Sequence, residues 1–279
     1  MNGIIYKCVK VHSTLSQDDS IIFKSQILPK ELEEIWLEVF NYINMIVNVL
    51  KPKKMIVMAL DGVAPRSKMN NQRARRFKSA RDHKKFMEQF YGFHGESDSQ
   101  ENFKNNSISP GTKFMEQLNK NLDFFIKKKI EEDDYWRSLS IIFTGSDSPG
   151  EGEHKIMEFI RANKHQFDDQ DCHCLYGADA DLIMLSLTLP LKNLCIIREE
   201  YVHASDRVRI IESKKEKNIK FEMIFVTILR EYFEIEYGGL RQTMKEVEYD
   251  LQRIIADFVF LFFFIGNDFL PRCMAYNIR

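Results

Sequence analysis

CHCLYGADADLIMLSL, residues 172–187, changes character in its middle. The stretch CHCLYG (172–177) reads as a β-strand and DLIMLSL opens a helix over 181–188. Asp179 and Asp181, with only Ala180 between them, then sit on the loop at the strand's C-terminal end. Open α/β folds bind their ligands there.

The same alternation extends in both directions. ELEEIWLEVFNYINMIVNVLK (31–51) has helical periodicity, and KMIVMAL (54–60) is a short apolar and β-branched run expected as a strand. Residues 68–91 are expected as a strongly charged helix, and 92–109 as a mobile polar loop. A helix over 110–130 is expected to open on Pro110. Further strands are predicted at 140–145 and 193–199, with helices at 153–164, 221–236 and 246–266. The fold class that follows is α/β, a mainly parallel central sheet flanked by helices. No internal repeat or linker divides the 279 residues, so a single domain over 1–279 is expected.

Composition narrows the function. The chain is 44% hydrophobic and 29% charged with a formal net charge of −1, so affinity for nucleic acid has to come from a local basic patch. Five scattered cysteines form no disulfide framework, and Cys172 and Cys174 lack zinc-ligand spacing; a reducing intracellular compartment follows. They read as packed or half-buried strand residues. FVFLFFFIG (258–266) is too short to cross a bilayer and reads as a core helix. The lysine-rich SKKEKNIK (213–220) reads as a solvated loop or an RNA-backbone track.

Chemistry gathers at the strand ends. Asp61 follows MIVMAL, Glu151 and Glu153 follow IIFTGSDSPG, Asp179 and Asp181 follow CLYGA, and Asp268 follows the Phe-rich run. Any one of these acids alone reads as an ordinary loop or N-cap residue. Gathered, they would repel one another and protonate unless a divalent cation neutralised them. An oxygen-only donor set suits Mg²⁺ or Mn²⁺, and two-metal phosphoester chemistry is its natural use. A second cluster follows in DGVAPRSKMNNQRARRF (61–77): Lys68, Gln72, Arg75 and Arg76 fall at i, i+4, i+7 and i+8, one helix face. Such a face suits a phosphate, or is simply a solvated basic face. His154 and Lys155, in a helix's first turn, either reach a phosphate or are solvated.

MNGIIY, MALDGVAPRSKMNNQRARRF, NNSISPGTKFM, SPGEGEHKIMEFIR, CLYGADADLIMLSLT, IIREE and GNDFLP resemble, in order, the signature blocks of the N-terminal catalytic region of the 5′-to-3′ exoribonucleases. The resemblance implies a PIN-like, flap-endonuclease-related nuclease fold. It implies a processive Mg²⁺-dependent (or Mn²⁺-dependent) enzyme that removes nucleotides from single-stranded RNA bearing a 5′-monophosphate, in RNA decay or processing. Asp61, Glu151, Glu153, Asp179, Asp181 and Asp268 would be the metal-binding catalytic acids. Lys68, Gln72, Arg75 and Arg76 would hold the 5′-phosphate, with Asn2 and Tyr6 beside the substrate. Tyr6 stands where the family usually has a histidine that stacks on the first base, and its ring offers the same π-face.

The family usually carries a further ligand aspartate on a strand ahead of MNGII and a second conserved region. The chain is therefore expected to be incomplete at its N-terminus and to lack that second region. Two other readings stay open: a catalytically impaired RNA-binding or partner-binding paralogue, and a DNA flap-type nuclease, which should carry a helix-hairpin-helix element. Cytoplasmic action is expected, with the nucleus as alternative, no membrane, and unspecified protein partners.

Overall fold

A computed structural model describes residues 1–14, 29–91, 107–177, 179–200, 219–243 and 248–273. The chain forms two compact units, Met1–Ile156 and Met157–Arg279.

The first unit contains α1 (Asn2–Thr14), α2 (Pro29–Leu50), β1 (Met55–Ala59), α3 (Arg66–Tyr91), α4 (Lys113–Glu132), the short α5 (Asp134–Arg137) and β2 (Ser140–Thr144); α6 (Gly152–Ala162) begins in it. Its core is built on α4, whose Phe114, Met115, Leu118, Leu122, Phe125 and Ile126 recur at helical spacing and are all buried. Against them α2 sets Ile35, Trp36 and Val39. Trp36 lies 4.8 Å from Phe114 between ring centroids, Phe40 stacks on Phe125 at 4.6 Å, and Trp136 of α5 meets Phe125 edge-on. Each such side chain contributes about 1.5–3 kcal/mol through burial. Strands β1 and β2 pair in parallel, Met55 opposite Ser140 through Ala59 opposite Thr144.

Pro110 does not open α4. Gly111, at φ 86°, turns the chain, and Thr112 is the N-cap, its Oγ1 accepting from the Met115 N–H at 3.3 Å. Residues 92–106 of the expected polar loop, and 213–218 of the lysine-rich stretch, lie outside the described residues.

The second unit carries β3 (Cys172–Tyr176), α7 (Asp181–Leu187), β4 (Asn193–Glu199), β5 (Phe221–Phe225), α8 (Val226–Tyr237), α9 (Leu240–Thr243) and α10 (Leu251–Phe262). β3 pairs with β4 in parallel, but β4 pairs with β5 antiparallel. Strand pairing among the described residues thus forms two small sheets, where one central sheet was expected. The helix expected over 221–236 is likewise divided. FEMIF pairs with β4 from Glu199 opposite Phe221 to Cys195 opposite Phe225, and Arg198 ion-pairs with the directly opposed Glu222 at 3.0 Å. A short apolar run of this kind fits either period, and the available strand edge decides it.

Helix α10 starts at Leu251, capped by Asp250, rather than at 246. The Phe-rich run is not the core expected of it. Ile255 and Val259 are buried, whereas Phe260, Leu261, Phe263 and Phe264 are between 41% and 61% exposed. A helix apolar on every side, packed on one face, buries only the i, i+4 stripe. Among the described residues no helix is long and apolar enough to cross a membrane.

Candidate active site

The loops that follow β1 and precede α6 are fastened together. Leu60 N–H donates to Thr144 O, carrying the β1–β2 pairing one residue further. Gly62 N–H then donates to Gly150 O at 2.8 Å, and Gly150 N–H donates back to Val63 O at 2.9 Å. The approach requires glycine: a Cβ on Gly62 would fall 1.7 Å from the Ser148 carbonyl oxygen, and Gly150 has φ 95°. A Cβ on Gly152 would likewise lie 2.8 Å from Ala59 O.

This fastening brings Asp61, Glu151 and the start of α6 to one place. Asp61 Oδ1 accepts from the Gly152 N–H at 2.8 Å, and the Asp61 N–H donates to Asn2 Oδ1 at 3.3 Å. Glu153, half-buried, lies in the first turn of α6. Lys155 is neither solvated nor free for a phosphate. Its ammonium donates to Leu60 O at 2.9 Å and Gly145 O at 2.8 Å, tying together the residues that follow β1 and β2. Burial holds it below the usual lysine range, opposed by Asp61 and Asp147. His154 is half-buried. Asn119 of α4 fixes the same loop, its Nδ2 donating to Ser146 Oγ at 3.0 Å and its Oδ1 accepting the Ser146 N–H at 3.1 Å. Neither Asn119 nor this use of Lys155 is marked by any short motif.

The basic face of α3 is graded from root to tip. Lys68 is buried and ion-paired to Glu151, Nζ to Oε2 2.9 Å, with 9% exposure on each side chain. Gln72 is half-buried, and Arg75 and Arg76 are exposed. Arg76 Nη2 donates to Ser109 Oγ at 2.8 Å. One residue away, Ile108 O accepts from the hydroxyl of Tyr6, a residue 38% exposed. The segment that leads into α4 therefore touches both Tyr6 and Arg76.

In the second unit, Asp179 lies on the turn after β3 and Asp181 is the first residue of α7, as the opening stretch predicted; both are exposed. Gly177 N–H continues the pairing to Ile197 O, and Leu182 folds back over Gly177, which keeps the turn short. The C-terminal end of α7 is held by Arg230 of α8. Its guanidinium donates to the carbonyls of Ser186, Leu187, Leu189 and Leu191, and burial lowers its pKa from the usual arginine value. Asp268, half-buried, sits on the turn after α10, where Asn267 Oδ1 accepts the Phe269 and Leu270 N–H groups. Cys172 and Cys174 are exposed rather than packed, and Cys195 is half-buried.

The residues fit a hard divalent cation. In the first unit Asp61, Glu151 and Glu153 all offer oxygen, and Glu151 Oε1 is buried without a hydrogen-bond partner, an arrangement costly to keep unless a cation satisfies it. Carboxylates carried on paired strand-end loops beside an arginine-bearing helix are the donor types that suit a divalent cation and a phosphate.

Comparison with known proteins gives the family. Residues 1–200 match the family described as XRN 5'-3' exonuclease N-terminus, and residues 248–279 match the Xrn1 helical domain. The chain belongs to the XRN 5'-3' exonuclease family. It is 44% identical to 5'-3' exoribonuclease 1 of Schizosaccharomyces pombe over 283 residues, 100% of this chain and 20% of that protein. It is 43% identical to 5'-3' exoribonuclease 1 of Saccharomyces cerevisiae (97% of this chain, 17% of the relative) and 38% identical to that of Homo sapiens (100% and 16%). The chain thus spans between 16% and 20% of the length of these three relatives.

Proposed function

We propose that this chain carries the N-terminal catalytic domain, a PIN-like nuclease domain, of a 5′-to-3′ exoribonuclease that degrades single-stranded RNA with a 5′-monophosphate to mononucleotides. The observation that carries the reading is Glu151: a buried carboxylate with one oxygen on Lys68 and the other unpartnered, one residue from the Gly152 amide that holds Asp61. Asp61, Glu151, Glu153, Asp179, Asp181 and Asp268 are the carboxylates offered to Mg²⁺, with Mn²⁺ as substitute. Bound there, the ion supplies water activation and charge neutralisation on the departing oxygen.

The chain's own residues do the rest. Arg75 and Arg76 present paired N–H donors to the terminal phosphate, Gln72 adds an amide, and Lys68 a point charge. Tyr6 offers a ring face to the first base, and Asn2 holds the Asp61 backbone. A 5′-hydroxyl end offers the cations of the pocket no charge to bind, whereas a cap or triphosphate is too bulky for it. Action on RNA in decay or processing, in the cytoplasm, follows from the same reading.

The test compares single-turnover degradation of 5′-monophosphorylated and 5′-hydroxyl RNA by the purified chain with Mg²⁺, with EDTA, and by Asp181→Ala. The expected result is a strong preference for the phosphorylated end, lost with EDTA and in the variant. Equal rates on both ends would refute the pocket, full activity of Asp181→Ala would refute the metal assignment, and selective binding without cleavage would make the chain an RNA-binding paralogue.

A further inference from the structure

Lys68 and Glu151 are allotted by that reading to different ligands, a phosphate and a divalent cation. They are nevertheless bound to each other. Nζ and Oε2 are 2.9 Å apart, each side chain is 9% exposed, and Glu151 Oε1 has no hydrogen-bond partner. Arg75 and Arg76 are exposed further along the same helix. A phosphate drawn in by the arginines and a cation drawn to Glu151 therefore each have to displace one half of the same buried bond.

We infer that the Lys68–Glu151 pair is a latch that couples capture of the 5′-phosphate to binding of the divalent cation; the inference rests on the proposed function. While the pair is closed, the ammonium occupies Oε2 and offsets the charge of Glu151, so an incoming cation meets one free oxygen and a repelling neighbour. A phosphate that takes over the ammonium returns both oxygens and the full negative charge to Glu151. Conversely, a cation on Glu151 releases Lys68 to the phosphate. Either ligand alone leaves the other half of the pair buried and without its partner, the costly state, and only the two together satisfy both halves. Each ligand must then raise the affinity for the other by the same factor. The enzyme would be loaded with metal most fully when a correct end is in the pocket.

The experiment titrates the full chain with Mn²⁺, with and without adenosine 3′,5′-bisphosphate, which carries a 5′-phosphate and no internucleotide bond. Calorimetry reads both affinities, corrected for the nucleotide–Mn²⁺ complex in solution. In the wild type the bisphosphate is expected to tighten Mn²⁺ by about tenfold or more, and Mn²⁺ to tighten the bisphosphate equally. In Lys68→Met, Mn²⁺ alone binds more tightly than in the wild type and the enhancement falls close to one. In Arg76→Met the nucleotide binds more weakly, but the enhancement persists. An equal enhancement in wild type and Lys68→Met overturns the latch and leaves the pocket standing. A wild type that binds the bisphosphate no better than adenosine overturns the pocket and the latch with it. Should Lys68→Met not fold, wild-type affinities that are independent of each other overturn the latch on their own.

Discussion

Replacing Gly62 with alanine tests how the acidic loops are held. The added Cβ would lie 1.7 Å from Ser148 O, 2.8 Å from Ser148 C and 3.2 Å from Pro149 Cα, all backbone atoms that no rotamer change can move. A relaxed carbon–oxygen contact needs at least about 3.3 Å, so the two loops must part by roughly 1.6 Å. That shift breaks the Gly62–Gly150 and Gly150–Val63 hydrogen bonds, each worth about 0.5–1.5 kcal/mol net. Steric overpacking adds about 1–3 kcal/mol, for a total of about 2–6 kcal/mol. At about 2–4 °C per kcal/mol for a chain of this size, Tm falls by about 4–24 °C. Asp61 moves away from Gly152 as well, and a misplacement of about 1 Å costs on the order of 100-fold in rate. Gly3→Ala is the control: nothing lies within 4 Å of its Cβ, and alanine in α1 should be neutral or stabilising. Thermal unfolding by circular dichroism and single-turnover RNA degradation read the two effects. A Gly62→Ala protein melting within 2 °C of wild type, a margin of about 1 kcal/mol or less, would refute the loop-fastening argument.

Asn119→Ala removes both bonds to Ser146 and is expected to cost about 1–3 kcal/mol in urea unfolding, with a loss of nuclease rate larger than the loss of stability explains. Arg230→Met removes a donor from four carbonyls, and should destabilise the second unit by about 3–5 kcal/mol with a lowered urea midpoint, while Arg230→Lys recovers only part. The Cys195 thiol is drawn down to about 7 by its hydrogen bond from Cys174, outweighing burial, while the same bond pushes Cys174 up. Alkylation at Cys195, followed by peptide mass spectrometry, should therefore rise through pH 7, and Cys174→Ala should move that rise towards the ordinary thiol value of about 8.5. An unchanged profile in the variant would exclude the thiol–thiol bond as its cause.

What could be read from the sequence was what short-range pattern encodes. The five-residue strands at 55–59, 140–144 and 172–176, and the acids at their ends, follow from apolar runs that stop at polar turns. Other features depend on neighbours far along the chain. FEMIF became a strand because the edge of β4 was free to take it, a fact held outside the segment. Lys68 shares helical spacing with Arg75 and Arg76, so spacing placed it on the same basic face; that its first turn abuts Glu151, 83 positions later, has no local trace. Lys155 and Asn119 act on carbonyls and amides of other elements, and backbone partners leave no mark in a side-chain pattern. The Phe-rich run was misread because hydrophobicity specifies that a helix can be buried, not which sides find something to pack against.

The Ser146 amide offers a last consequence. Loops ordinarily open many times for each global unfolding event, and their N–H groups exchange with solvent at those local openings. This one is bonded to a side chain on α4, the helix whose Met115, Leu118 and Leu122 are wholly buried. In deuterium exchange, Ser146 should belong with the slowest-opening residues of the first unit, and the loop between β2 and α6 should open as part of the core.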